Sequence, residues 1–233
     1  MAAVSSAPAT TSDALLHRIR TQRPADEDLW VFGYASLIWR PEFPFVEQRM
    51  ARVHGWHRAL RMRSRVNRGT PERPGLVFAL LPGGACRGVV FRVAAAAAHE
   101  ELERLWRREM PNPVYDPRWL ACTTPQGPVR ALAFTLPRRH EAHMGRLPDA
   151  QMLDILRHAV GRYGSTLHYL VETAQALRAR GIVDRDMERL MALAARHGLI
   201  QAPPAAARAA ARSASVSTSI STPGSSTSTP NAG

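Results

Sequence analysis

Between Leu29 and Trp39 the chain reads LWVFGYASLIW: an apolar strand signal runs into Gly33, Tyr34, Ala35 and Ser36, then turns apolar again at Leu37, Ile38 and Trp39. No other stretch limits the fold as much, because the strand must enter a core, the small residues must turn at its end, and the chain must be buried again at once. Small side chains let backbone amides approach a ligand closely, and flanking apolar residues hold those amides in place. The stretch is therefore a candidate site, although the same spacing fits an ordinary strand end with a tight turn.

The 233 residues suit one domain with unstructured ends and are enough to bury a sizeable core. A formal charge of +12 would ordinarily point to nucleic acid or an anionic membrane, but all 31 basic residues are arginine and none is lysine. Together with the Ala- and Pro-rich composition this reads as coding bias, so the charge is weak evidence for such partners. Locally it still counts: the arginines between Arg49 and Arg73 can line a pocket for a carboxylate-bearing molecule. Cys86 and Cys122 have neither metal-ligand spacing nor enough company for a disulfide framework, and no apolar run approaches the ~20 residues of a membrane span. Residues 1–28 lack the apolar middle of a secretory signal, which favours the cytoplasm, while their Ser and Arg content also fits an organellar transit peptide.

Residues 1–28 read as a mostly disordered extension with a short helix over Asp13–Arg20, capped by Ser12 or Asp13. A strand over Leu29–Gly33 opens a folded domain, residues 29–199. Met50–Arg63 fits a strand bulged at Gly55, and Val66–Gly75 a charged, mobile loop. Leu76–Leu81 and Gly88–Val93 are apolar runs around Pro82, Gly83 and Gly84, a hairpin signal. A second hairpin joins Arg118–Thr124 to Val129–Leu136, and helices are expected over Pro148–Gly161, from Ser165 or Thr166 to about Arg180, and over Asp184–His197. Residues 200–233 change abruptly to Ala, Ser, Thr and Pro and read as a disordered tail.

The clearest helix is Ala94–Met110, ended by Pro111. Its apolar stripe of Leu102, Leu105 and Trp106 lies seven, four and three residues before Glu109, so the helical period turns Glu109 inward and Arg107 and Arg108 elsewhere. A carboxylate at the inner end of an apolar stripe loses hydration, which raises its pKa toward values useful for proton transfer near neutrality. A carboxylate paired with an arginine at the helix end fits the same position. His140 and His143 lack a third ligand at a matching spacing, so no metal is expected.

Taken in order, VFGYASLIW, NRGTPERPG, LWRREM followed by Tyr115, and GSTLHYL resemble the ChaC-type γ-glutamylcyclotransferases that act on glutathione, over about Leu29 to His197. The resemblance implies an α+β fold, a mixed, partly closed β-barrel with surrounding helices. It also implies cleavage of glutathione to 5-oxoproline and the cysteinyl-glycine dipeptide without metal or cofactor. Carried over by motif, the catalytic acid falls on Glu109. The substrate loop falls on Gly33, Tyr34, Ala35, Ser36 and Leu37, led in by Val31 and Phe32. The Arg68, Gly69, Thr70 loop and Tyr169 complete the implied binding set. One position departs: the family usually has glycine after the loop tyrosine, where this chain has Ala35, whose Cβ restricts positive φ and crowds a ligand.

Three other readings remain. The substrate is another γ-glutamyl amine or dipeptide; the chain is a degenerate relative that binds such compounds without turnover; or it is a non-catalytic nucleic-acid-binding protein using the Met50–Arg73 arginines with Trp56 and His57. Alternating arginines without dense aromatic interleaving fit a solvated strand face better than a stacking platform. The sequence is silent on oligomeric state.

Overall fold

A computed structural model describes residues 11–201 of the chain; the expected unstructured start and most of the expected tail lie outside the described residues. Five strands, β1 (Leu29–Gly33), β2 (Glu47–Ser64), β3 (Gly75–Val93), β4 (Asp116–Thr124) and β5 (Gly127–Thr135), close into a barrel in the order β1-β3-β2-β4-β5. Neighbours along that order are antiparallel. The closing seam is parallel and narrow, with Val31 opposite Leu132 and Leu80 opposite Thr135. Phe32, Phe91, Phe134, Leu80 and Leu132 are fully buried. The architecture is thus α+β, a mixed barrel with helices around it, and its seam is closed.

The barrel is dominated by one long ribbon. β3 runs without reversal through Pro82–Gly84 and pairs with β2 on both sides of that point, so the expected hairpin there does not exist. Gly83 and Gly84 take positive φ, +104° and +74°, but they face the single Gly55 at +78°, and the register jumps from His54 opposite Ala85 to Trp56 opposite Pro82. The glycines bend the ribbon as a bulge. A long β2 satisfies the backbone of both halves of β3, which a reversal would have cut from it. A second irregularity sits between Leu60 and Met62.

The actual hairpin loop, residues 65–74, is less free than its charge suggested. Ser64 Oγ accepts from the Arg68 amide (3.0 Å), and Thr166 Oγ1 donates to the Arg68 carbonyl (3.2 Å) and accepts from the Leu76 amide (3.0 Å). The backbones meet so closely that a Cβ on Gly75 would lie 2.0 Å from the Arg68 oxygen, and one on Gly161 would lie 2.5 Å from the Gly69 nitrogen. Arg68 and Gly69 are buried, while Thr70–Arg73 are exposed.

Helix α1 (Ser12–Thr21) is capped by Thr11, one residue before the expected caps, and buries Leu15 and Ile19. Trp106 Nε1 donates to Ser12 Oγ (2.9 Å), which donates to the Met110 carbonyl (3.1 Å), so α1 fastens the end of α3 (Ala95–Glu109). The start of α3 is capped from outside: Asp28 accepts from the Ala95 amide (2.9 Å) and from Arg92 (2.7 Å), contacts that hold its carboxyl below the usual range. Helix α4 (Asp149–His158) stops short of Gly161 because the chain becomes extended at Ala159. It forms a small ladder, β6 (Val160–Gly161) with β7 (Gly164–Ser165), which the sequence did not reveal. Ser165 caps α5 (Thr166–Arg178), and Asp184 caps α6 (Arg185–Arg196).

Candidate active site

β1 is buried along nearly all its length, and its last residue has little clearance: a Cβ on Gly33 would lie 3.0 Å from the Phe91 ring and 3.2 Å from Leu37 Cβ. Beyond it the expected polar turn is a one-turn helix, α2 (Ser36–Trp39), with the Ile38 amide on the Ala35 carbonyl (2.9 Å) and Arg40 on Ser36 (2.8 Å). Ala35 has φ −144°, so its position does not require the positive φ that favours glycine. The loop is also held from below. The Arg58 side chain, 1% exposed, donates to the Tyr34 carbonyl (2.5 Å), the Arg87 carbonyl (3.2 Å) and the Asp184 carboxylate (2.8 Å), tying the loop to β3 and to the cap of α6.

An open pocket lies against this loop, lined by Tyr34–Leu37 on one side and by Glu109 and Tyr169 on others. Glu109, at the last residue of α3, turns inward as its spacing predicted, with its side chain 16% exposed. Desolvation raises its pKa above the usual carboxylate value, with Arg108 opposing and Glu42 reinforcing the rise. Arg108 does not point elsewhere, contrary to expectation. Its Nε lies 3.2 Å from Glu109 Oε1 and its Nη1 3.0 Å from Glu42 Oε2, while Nη1 donates to the carbonyls of Arg40 (2.7 Å) and Pro41 (2.9 Å). Glu42 is also paired with Arg40 and is the one non-glycine residue with positive φ, +57°, among the described residues. A side chain in that conformation costs about 1–2 kcal/mol relative to right-handed backbone.

Phe78, Tyr115 and Phe134 complete the pocket, and reasoning from sequence had not assigned them to it. Tyr115 was visible only as the tyrosine following the α3 motif; Phe78 and Phe134 reach the site through barrel closure, which leaves no local signal. Three phenols therefore surround one carboxyl. Burial pushes all three upward in pKa, Tyr169 to about 12, so they stay neutral and can donate hydrogen bonds at any physiological pH. Tyr34 donates to the Phe134 carbonyl (3.0 Å), and Tyr115 is hydrogen-bonded to Tyr34.

Other expected site residues lie outside the pocket lining. Val31 and Phe32 are buried in β1 and support the loop, with Gly33 as its hinge. Arg68 does not reach the pocket: its guanidinium stacks on Tyr169 (4.9 Å to the ring centre) and donates to the Tyr163 carbonyl (2.5 Å). Gly69 and Thr70 belong to the loop pinned by Thr166. That pinning sets the register of α5, so that Tyr169 packs against Phe78 (5.6 Å) and Trp39 (6.4 Å) and closes one wall.

Residues 29–197 match the family described as ChaC-like protein. The glutathione-specific γ-glutamylcyclotransferase of Escherichia coli K12 is 33% identical over 170 residues, 72% of this chain and 74% of that protein. Glutathione-specific γ-glutamylcyclotransferase 1 of Rattus norvegicus is 29% identical over 186 residues, 76% of this chain and 84% of that protein. Among solved structures, a glutathione-specific γ-glutamyl cyclotransferase from yeast superposes with a TM-score of 0.65 over 73% of this chain and 99% of that one, at 20% identity. That likeness speaks for the fold.

Proposed function

The chain belongs to the ChaC-like protein family, and on that premise we propose that it is a γ-glutamylcyclotransferase that cleaves glutathione to 5-oxoproline and the cysteinyl-glycine dipeptide. In a γ-glutamyl compound the α-amine can reach its own γ-carbonyl. A bond forms from that nitrogen to the carbonyl carbon, the five-membered lactam closes, and the bond from the carbonyl to the cysteinyl nitrogen breaks. Two protons leave the α-ammonium nitrogen, one to free the attacking amine and one as the lactam forms, and the cysteinyl nitrogen gains two to depart as an ammonium; no water is consumed. The protein must fold the substrate into the attack geometry, relay those protons and stabilise the oxyanion.

Glu109 is the proton carrier in this reading. Its desolvated carboxyl, facing the Tyr34–Leu37 backbone across the pocket, is the observation that carries the proposal. A raised pKa suits both taking the proton and returning it. The amides of Tyr34–Leu37 hold the γ-glutamyl unit and the developing oxyanion, where one lost donor costs roughly 3 kcal/mol. The neutral Tyr115 and Tyr169 hydroxyls supply further donors, and Arg68 acts through the ring of Tyr169. The Cβ of Ala35 narrows the loop wall, which keeps other γ-glutamyl amines and dipeptides in view as substrates; side-by-side turnover separates them. Arginines once available to nucleic acid are partly committed, Arg49 to Glu47 and Trp30 and Arg58 to Asp184. No helix among the described residues is long and apolar enough to cross a membrane, and the buried free thiols of Cys86 and Cys122 suit a reducing compartment such as the cytoplasm.

The test is release of 5-oxoproline from glutathione by the purified protein and by Glu109→Gln, which keeps the shape and removes proton transfer. Turnover by the parent and a loss of about a thousandfold in the variant is expected; near-normal release from the variant would remove Glu109 from the mechanism.

A further inference from the structure

Glu109 is one end of a ladder of alternating charge: Glu109, Arg108, Glu42, Arg40. The two inner members are shared. Arg108 offers Nε to Glu109 and Nη1 to Glu42, and Glu42 gives one carboxylate oxygen to Arg108 and the other to Arg40. Glu42 reaches this place from a loop between two prolines, Pro41 and Pro44, with a backbone conformation that disfavours any side chain. Such an outlier persists only where its surroundings over-determine it. Here the surroundings are two guanidiniums and, through Arg108, the pocket acid.

Resting on the assignment of Glu109 as proton carrier, we propose that Glu42 is a positioning residue for the reaction: its carboxylate holds the Arg108 guanidinium outward, so that Glu109 shares that cation instead of owning it. A carboxylate fully paired with arginine is a poor proton carrier, because the pair favours the ionised form and weakens the base. The other titratable groups facing Glu109 cannot supply this balance. Tyr34, Tyr115 and Tyr169 approach from β1, the segment before β4, and α5, and all remain neutral. Glu42 and Arg108 are the charged groups that act on it, and they act in opposite directions.

The experiment is the pH dependence of kcat/KM for glutathione in the parent protein, Glu42→Gln and Glu42→Gly. Removing the Glu42 charge leaves Arg108 to act on Glu109 alone, which stabilises its ionised form. The acid limb therefore moves to lower pH, by on the order of half a unit for charges at this separation near the surface. Activity on that limb, as a fraction of the plateau, rises about threefold. Because the Glu42 side chain is 41% exposed, the shift shrinks in high salt. Glu42→Gly removes the carboxylate and the unfavourable backbone together, so it shows the same shift with an unchanged or higher melting temperature. A purely structural role for Glu42 gives a changed melting temperature and an unmoved acid limb. An unmoved limb in both variants, with Glu109→Gln inactive, overturns the proposal and leaves Glu109 in place; an active Glu109→Gln removes the reading beneath it.

Discussion

The two walls of the pocket are built on opposite principles. The loop wall, Gly33–Trp39, presents backbone and is fixed by buried contacts: close packing of Gly33 on Phe91, and the Arg58 strut to the Tyr34 carbonyl with its side chain almost fully buried. The acid wall presents a side chain at the last residue of α3, fixed by partly solvated charges in Arg108 and Glu42. One wall sets shape and the other sets protonation. Changes to the first should therefore appear in stability and KM, and changes to the second in kcat and its pH dependence.

The hardest test of that division is Glu109→Gln. A loss of about a thousandfold in kcat is expected with little change in KM, in the range by which positioned acid–base groups act. The same variant carries a stability signature. Since the folded state raises this carboxyl's pKa, it holds more protons than the unfolded state between the ordinary and the raised value, and stability falls as pH rises through that window. The glutamine variant lacks this loss, so its melting temperature gains on the parent at pH 8 but not at pH 4. Next comes Arg58→Met, expected to cost about 3 kcal/mol in denaturant unfolding, because it strands a buried carbonyl and unpairs Asp184. In the fraction that folds, KM should rise more than kcat falls; the reverse pattern would merge the two walls into one. Tyr115→Phe removes a neutral donor between them and should lower kcat about tenfold, the worth of one hydrogen bond at a desolvated site. Smallest is Ala35→Gly: as φ is already −144°, turnover should stay within about twofold.

The acid wall was legible because helical period is a local property. Leu102, Leu105 and Trp106 placed Glu109 inward without reference to anything else in the chain. The loop wall was legible as a strand meeting small residues, but not as the α2 turn, since four residues carry no period. Gly83 and Gly84 show where local reading fails: the glycines do mark a break in regular strand, but whether it reverses the strand or bends it depends on a partner, β2, that begins well upstream. Arg68 was placed near the site by its motif alone, because the direction of its side chain is decided by Tyr169 and the Tyr163 carbonyl from a later part of the chain. Arg108 looked outward by angle, yet a long side chain can reach back along the helix end to Glu109.

The narrow parallel seam of the barrel also governs the order in which this protein can come into being. β1 is synthesised early, yet both its neighbours come late: its antiparallel partner is Val89–Val93 and its parallel one is Leu132. At roughly 5–20 residues per second a ribosome leaves β1 and its loop unpaired for several seconds. A nascent chain arrested between Met110 and Leu132 already contains both the loop and Glu109, but has no β5 to close the wall between them. The pocket is thus closed only after β5, and α5 with Tyr169 beyond it, have left the exit tunnel.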